Sequence, residues 1–300
     1  MVRPRAFGFH AEAATSNAFA QPSGRPGVAA HAMAEFDMLV ETLDRSGVEV
    51  IVLHEREGPD RPDAVFPNNW TSFHADGTVV LYPMATEQRR LEPDTEGLLP
   101  LLRQYRFLVR QTVDLTHHAI AGRYLEGTGS LVFDRPRHRA FASRSVRTDP
   151  AVVAEFDRAL GYSTLLFDAV DRSGQPIYHT NVFLSVGSEF AILCSEVVPE
   201  KQRKELIQSL ERTVVEVSYD QMQQFACNGI ELRGRGGTPL LAMSTAALSS
   251  LMPPQIRTLE RFAELVASPI PTIEEVGGGS VRCMIADVHL PRLGVEPASG

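Results

Sequence analysis

Leu125-Glu-Gly-Thr-Gly-Ser-Leu-Val-Phe133, followed by Asp134-Arg-Pro-Arg137 and Arg139-Ala-Phe-Ala-Ser143, is the stretch from which the chain is best read. A short polar loop enters an apolar strand, a tight turn follows, and a second strand ends in small residues, the pattern of a β-hairpin. The same grammar recurs three times. Phe66-Pro-Asn-Asn-Trp-Thr-Ser-Phe73 leads through Ala75-Asp-Gly77 to Val79-Val-Leu-Tyr-Pro-Met84. His179–Val186 leads through Gly187-Ser-Glu189 to Phe190–Ser195, and Ala226–Leu232 leads through the glycine-rich Arg233–Thr238 to Leu240–Ser244. With Asn69, Gly129, Asn181 and Asn228 as markers, the steps are 60, 52 and 47 residues, and a further 55 reaches Cys283. A period near 50 residues marks radially repeated or stacked architecture.

Helical patterns lie between the hairpins. Val28–Gly47 carries Met33, Phe36, Leu39, Val40 and Leu43 on one face. Asp149–Leu160 and Glu200–Glu211 read similarly, and Pro253–Val266 opens with prolines at its start. The expectation is an α/β chain of five β-hairpin-plus-helix units. The loops that begin the units should gather at one end, bringing together Asn68–Asn69, Glu126, His179, Cys227–Asn228 and Cys283. A thiol, an imidazole and a carboxylate at one mouth supply the groups that nucleophilic catalysis needs.

Bulk properties narrow the choice. The 300 residues are 43% apolar and 22% charged, with a formal net charge of −8. That balance argues against broad binding to nucleic acid or anionic membrane. The longest apolar runs, such as Phe190–Cys194, are strand-sized, so no membrane span is expected. Met1–His10 carries Arg3 and Arg5 without a following apolar run, and no signal peptide is expected. Three widely spaced cysteines form neither a disulfide framework nor a zinc ligand set, which points to a reducing cytoplasm. Cys194 lies inside an apolar run and reads as core; Cys227 reads as a bystander thiol near the mouth. His117 and His118 are adjacent, and in a strand their rings would point to opposite faces. No other ligand accompanies them at metal-binding spacing, so a solvated loop is expected and no metal is assigned.

Taken together, Pro62-Asp-Ala-Val-Phe-Pro-Asn-Asn-Trp70, Leu125-Glu-Gly-Thr-Gly-Ser130, Tyr178-His-Thr-Asn181 and Gly277-Gly-Gly-Ser-Val-Arg-Cys-Met284 resemble the guanidine-modifying (pentein) superfamily. Within it the chain looks most similar to citrulline-utilisation hydrolases filed as amidinotransferase or arginine deiminase-related proteins. The resemblance runs from Arg3-Pro4 to Leu290-Pro291. It implies a pentein α/β propeller of five pseudo-symmetric modules, with residues 1–300 as one catalytic domain. It also implies that the N-terminal strand closes the last module, so that Arg3–Phe9 pairs beside the Cys283 segment.

By the same resemblance Cys283 is the nucleophile, His179 the acid–base and Glu126 its acidic partner, with no cofactor or metal. Asp63, Asn68 and Asn69 fall where relatives bind the planar nitrogen group of a small amino-acid substrate. Arg144, Arg89 and Arg90 fall where relatives hold its α-carboxylate, with Arg147 as a weaker candidate; Thr15-Ser-Asn17 is read as part of a lid or closing loop. Arginine deiminase-like enzymes carry aspartates at the positions of Asn69 and Asn181. Amides there suit a neutral ureido group, which points to citrulline cleavage through an S-carbamoyl intermediate. The alternatives are guanidine hydrolysis or amidino transfer, and, in a different class, a non-catalytic pentein that binds a macromolecule. A homodimer is an admissible assembly, and neither nucleic acid nor membrane is expected as a partner.

Overall fold

The computed structural model describes residues 1–294. The chain opens with β1 (Val2–Arg3), the helical turn α1 (Ala11–Ala14), the long helix α2 (Val28–Arg45) and β2 (Leu53–His54). The first complete unit is β3 (Thr71–Phe73), β4 (Thr78–Leu81), α3 (Thr95–Gln104) and β5 (Gln111–Asp114). The second opens with the turn α4 (Gly127–Ser130) and continues through β6 (Val132–Asp134), β7 (Arg139–Ser143), α5 (Pro150–Leu160) and β8 (Ser163–Phe167). The third is β9 (Leu184–Val186), β10 (Phe190–Leu193), α6 (Glu200–Leu210) and β11 (Thr213–Glu216). After α7 (Tyr219–Gln223) come β12 (Ile230–Arg233), β13 (Pro239–Ser244), α8 (Thr245–Ser250), α9 (Pro253–Leu259), β14 (Glu264–Ser268) and α10 (Pro271–Gly277).

Each complete unit is an antiparallel hairpin followed by a helix and a third strand parallel to the second, as in Ser143↔Phe167 and Leu193↔Glu216. The hairpins stand where the sequence pattern puts them. The third strands β5, β8, β11 and β14 are additions to that pattern. They are the outer strands; β5 and β11 are largely solvent-exposed, so they lack the continuous apolar run of β4 and β10. The expected helix over Pro253–Val266 accordingly stops at Leu259, because Glu264-Leu-Val-Ala-Ser268 is taken by β14. Local signals explain other boundaries. Asp149 caps α5 by accepting from Ala151 and Val152 N–H, Pro150 opens it, and Gly161 closes it at φ 68°.

The fifth unit is drawn from both ends of the chain. β1 and β2 pair in parallel across the α2 crossover, Val2 opposite Leu53. The expected pairing of Arg3–Phe9 with the Cys283 segment is not observed among the described residues. Nor does Gly277–Gly279 run into a strand: Gly278 closes α10 at φ 62°, and the chain then turns, with Cys283 N–H donating to Ser280 C=O. Phe7 still shares one apolar cluster with Cys283, Met284 and Ile285, so the two chain ends meet by packing rather than by a ladder.

The first strands and turns of the units face one another. β9 lies against β6 and β12, and α4 packs on both the Pro67–Asn69 and Thr180–Val182 turns. The apolar interior is split into several clusters between units rather than one slab. Among the described residues no helix is long and apolar enough to cross a membrane. Phe36 of α2 is fully buried in the cluster that also contains Cys283. Phe36→Ala should therefore cost about 3–5 kcal/mol in urea unfolding, the range for a buried Phe cavity; a loss under 1 kcal/mol would mean α2 is not part of that core.

Candidate active site

Glu126 enters the centre because Gly127 turns the chain at φ +43° with a backbone approach no other residue permits. A Cβ on Gly127 would sit 2.2 Å from the Asn68 carbonyl oxygen. The Glu126 carboxylate is completely buried. Its Oε1 accepts from Ala85 N–H at 2.9 Å; its Oε2 lies 2.8 Å from His179 Nε2 and accepts from Arg147 Nη1 at 3.1 Å. Arg89 Nη1 stands 3.7 Å from the same oxygen. Burial by itself would raise this carboxyl, but Arg147, His179 and Arg89 outweigh it and hold the group well below the usual range. It is an anion in every condition that matters here.

His179 is buried against it, and that burial lowers the imidazole to about 4 despite the pull of Glu126. A neutral ring whose Nε2 faces a carboxylate carries its proton there, which leaves Nδ1 as the basic nitrogen. Nδ1 faces Gly129: a Cβ on that glycine would fall 2.6 Å from it and 2.4 Å from Asn69 Nδ2. Tyr178 lies against the ring with centroids 4.6 Å apart, beneath the Arg147 guanidinium at 5.0 Å. The Tyr178 hydroxyl donates to Gly278 C=O at 2.9 Å, tying the third unit to the glycine turn before Cys283. Burial first, and then the Cys283 thiol, push this phenol far above its ordinary value, so it stays a donor.

Cys283 is buried at 6% exposure and has two faces. One packs in the apolar cluster of the fifth unit; the other meets amides. Asn181 Nδ2 and Asn228 Nδ2 each lie 3.4 Å from Sγ, and Asn228 Oδ1 lies 3.5 Å away. The sulfur is thus within reach of N–H donors from two different units. Cys194 is core as expected, its thiol pushed up to about 11 by burial. Cys227 is also fully buried, beside Cys194 in the same cluster, and its thiol is pushed well up; it is not a group at the mouth.

Of the remaining candidates, Asp63, Asn68, Asn69 and Arg89 are all buried. Arg89 Nε and Nη2 reach Glu92 at 2.7 and 2.9 Å, and Nη1 donates to Asn69 Oδ1 at 3.0 Å. Asp63 lies 3.8 Å from Arg89 Nε and 2.7 Å from His10 Nδ1. Both amide atoms of Asn68, together with Asn181 Oδ1, are buried without any hydrogen-bond partner. Arg90 is exposed and holds the Met84 and Ala85 carbonyls. Arg144 lies on the surface, 3.1 Å from Asp168, whereas Arg147, in the turn that follows, is buried.

His10 and Tyr178 had no role assigned from the sequence, and Arg147, Ser16 and Asn17 entered only as weaker candidates. Arg147 donates to Ala13 C=O and Ser16 Oγ, each at 2.8 Å, and Asn17 Nδ2 to Gly277 and Gly278 C=O at 3.2 and 3.3 Å. Residues 10–21 therefore strap together three units at the site. The available signal was the Thr15-Ser-Asn17 polar cluster, which has no local partner to reveal its role. His117 and His118 sit on a solvated 3-10 turn, Thr116–Ala121, in keeping with the expected loop, and the two rings lie side by side at 4.3 Å.

The sequence matches the family model described as N,N dimethylarginine dimethylhydrolase, eukaryotic, over residues 3–290. The chain belongs to this family, within the pentein superfamily. No curated protein matches the sequence. The structure is similar to ArgZ, an arginine dihydrolase from the ornithine–ammonia cycle in Cyanobacteria, with TM-score 0.76 at 15% identity, covering 98% of this chain and 41% of ArgZ. The N-terminal domain of ArgZ bound to substrate gives TM-score 0.73 at 14% identity, with 95% of each chain covered. A dimethylarginine dimethylaminohydrolase adduct with S-methyl-L-thiocitrulline gives 0.64 at 14%, covering 94% and 96%. This pentein thus spans less than half of full-length ArgZ, and the structural likeness carries the fold. The five-unit arrangement is the pentein fold.

The buried neutral imidazole has a stability consequence with a definite sign. His179 binds a proton in the unfolded chain below about 6.5 but in the folded pentein only below about 4. Its contribution is complete above pH 6.5 and is lost as pH falls through that window. Wild-type protein should lose roughly 2–3 kcal/mol more than His179→Asn between pH 7 and 4.5 in urea unfolding; equal losses would show that the ring is charged in the fold.

Proposed function

We propose that this pentein cleaves the C–N bond of a ureido amino acid, converting citrulline to ornithine, ammonia and CO2 through an S-carbamoyl intermediate on Cys283. The observation that carries this reading is the set of buried, unpaired amide atoms at Asn68 and Asn181. An orphaned amide is costly unless a ligand completes it. Asn68 Nδ2 needs an acceptor, and Asn68 Oδ1 and Asn181 Oδ1 need donors. A ureido group supplies a carbonyl and N–H groups together, whereas a guanidinium supplies donors only.

In this scheme the Cys283 sulfur attacks the ureido carbon and a C–S bond forms. Amide donors near the thiol, among them Asn181 and Asn228, stabilise the developing oxyanion. The thiol proton passes to His179 and then to the departing nitrogen as the C–N bond breaks, releasing ornithine. Water attacks the S-carbamoyl carbon, His179 takes its proton, and the S–C bond breaks to return the thiol; the carbamate falls apart to ammonia and CO2. Glu126 keeps His179 in one tautomer and orientation. Arg89, whose donors are engaged by Glu92 and Asn69, positions that amide rather than gripping a ligand. Arg144 and Arg90 are the exposed guanidiniums we assign to the α-carboxylate, and the reaction suits the reducing cytoplasm that keeps the thiol free.

A second reading, hydrolysis of arginine or a methylated arginine, has its own support. Asp63, Glu92 and Glu126 all converge on Arg89, and only Arg147 adds a second buried cation to the cluster. Burial raises Glu92 to about 7, so the surplus of three carboxylates over two guanidiniums that would leave room for a cationic ligand develops only as Glu92 ionises. Product identification separates the two: ornithine from citrulline supports the first, citrulline from arginine the second. Cys283→Ala should abolish turnover while citrulline still binds in calorimetry; a variant keeping most of its rate would refute the covalent scheme. Gly129→Ala, whose methyl would strike both His179 Nδ1 and Asn69 Nδ2, should lower turnover roughly 100-fold and lower the melting temperature as well; an unaltered rate would show that neither atom needs its present place.

A further inference from the structure

We propose that His117, His118 and Glu155 form a binding site for a zinc-type divalent cation on the outer side of the second unit, independent of the catalytic reading above. The three side chains come from two elements: the 3-10 turn Thr116–Ala121, which follows β5, and α5. One ligand atom from each lies within 4.8 Å of the other two. Adjacent histidines diverge in a strand, but here the turn lays the rings 4.3 Å apart at 34°, and both direct Nε2 toward one carboxylate.

The tautomers favour ligation. His117 Nδ1 stands 3.2 Å from the Asp114 carbonyl, where it can only donate, and this leaves Nε2 as an unprotonated ligand aimed at Glu155 Oε1, 4.0 Å away. A backbone carbonyl behind the ring is the arrangement that orients metal-binding imidazoles. His118 Nε2 lies 2.9 Å from Glu155 Oε2. Two ligands held at 2.0–2.2 Å by a tetrahedral ion are ~3.4 Å apart, so the observed 2.9 and 4.0 Å bracket that spacing. The 4.0 Å separation is too long for a hydrogen bond. The approach is open, with the His117 side chain 59% exposed, while His118 at 13% anchors the site.

Two imidazoles and one carboxylate are a borderline donor set that zinc takes with water in the fourth position. The ion takes the place of the hydrogen bond between His118 and Glu155. It staples the segment that runs from β5 into Glu126 onto α5, and the fold should be stabilised by binding that the unfolded chain cannot match.

Zinc titration by calorimetry, together with thermal melting, tests the proposal on the full chain carrying Cys283→Ala, which removes thiol ligation at the other site. The expected result is one zinc per chain and a raised melting temperature. His117→Ala or Glu155→Gln, each added to that chain, should weaken binding by about tenfold or more and remove the melting shift. Both side chains are largely outside the core, so these variants should fold, as circular dichroism will verify. No zinc uptake by the intact site, or unchanged affinity in both variants, would overturn the assignment.

Discussion

The structure is organised around the need to neutralise one fully buried carboxylate. Glu126 has no water to solvate it, and an ion in that position is tolerated only with close opposite charge and complete hydrogen bonding. Arg147 comes from the loop between β7 and α5 of the same unit, Arg89 from the first and His179 from the third, while Ala85 N–H closes the remaining oxygen. Removing one partner would leave an unpaired charge in low dielectric. The electrostatics that hold Glu126 ionised therefore also fix how three units meet.

The rest of the site follows from that meeting. Arg147 binds Ser16 and Ala13, so the 10–21 segment is drawn across the centre by the group that compensates Glu126. Tyr178, under Arg147 and against His179, reaches Gly278 and sets the turn that delivers Cys283. Hydrogen-bond satisfaction is complete around the carboxylate and incomplete at Asn68 and Asn181. That contrast separates the supporting frame from the part that, in the proposed reaction, a substrate completes. A polar network this buried is costly to disturb at any point, which explains why glycines at 127 and 129 border it: any side chain there would meet backbone or imidazole.

The chain's regularity made much of this legible. Hairpins appear where turn residues separate apolar runs, and the marker residues at a period near 50 all fall on the opening turns of the units. Glu126, His179, Asn181 and Asn228 were recognisable because each begins a unit. Partners lacking a local pattern were missed or misplaced. Arg144 and Arg147 are three residues apart and chemically equal, yet only the second is buried, and nothing in their spacing distinguishes them. The outer strands were overlooked because partial exposure removes the apolar continuity that identifies a buried strand.

The sequence by itself determined the repeat, the places of the hairpins and the reactive residues at the unit openings, since these depend on turn chemistry and apolar periodicity within a few residues. Only the tertiary structure decided which arginine compensates Glu126, which nitrogen of His179 is basic, and that residues 10–21 close over the centre. It also decided that Glu155 stands opposite His117 and His118. These are matters of burial and of contacts between residues from 21 to well over 100 positions apart, such as Arg147 with Glu126 and Arg147 with Ala13. Their energies depend on the local dielectric and on the partner's position, quantities that exist only once the units have packed.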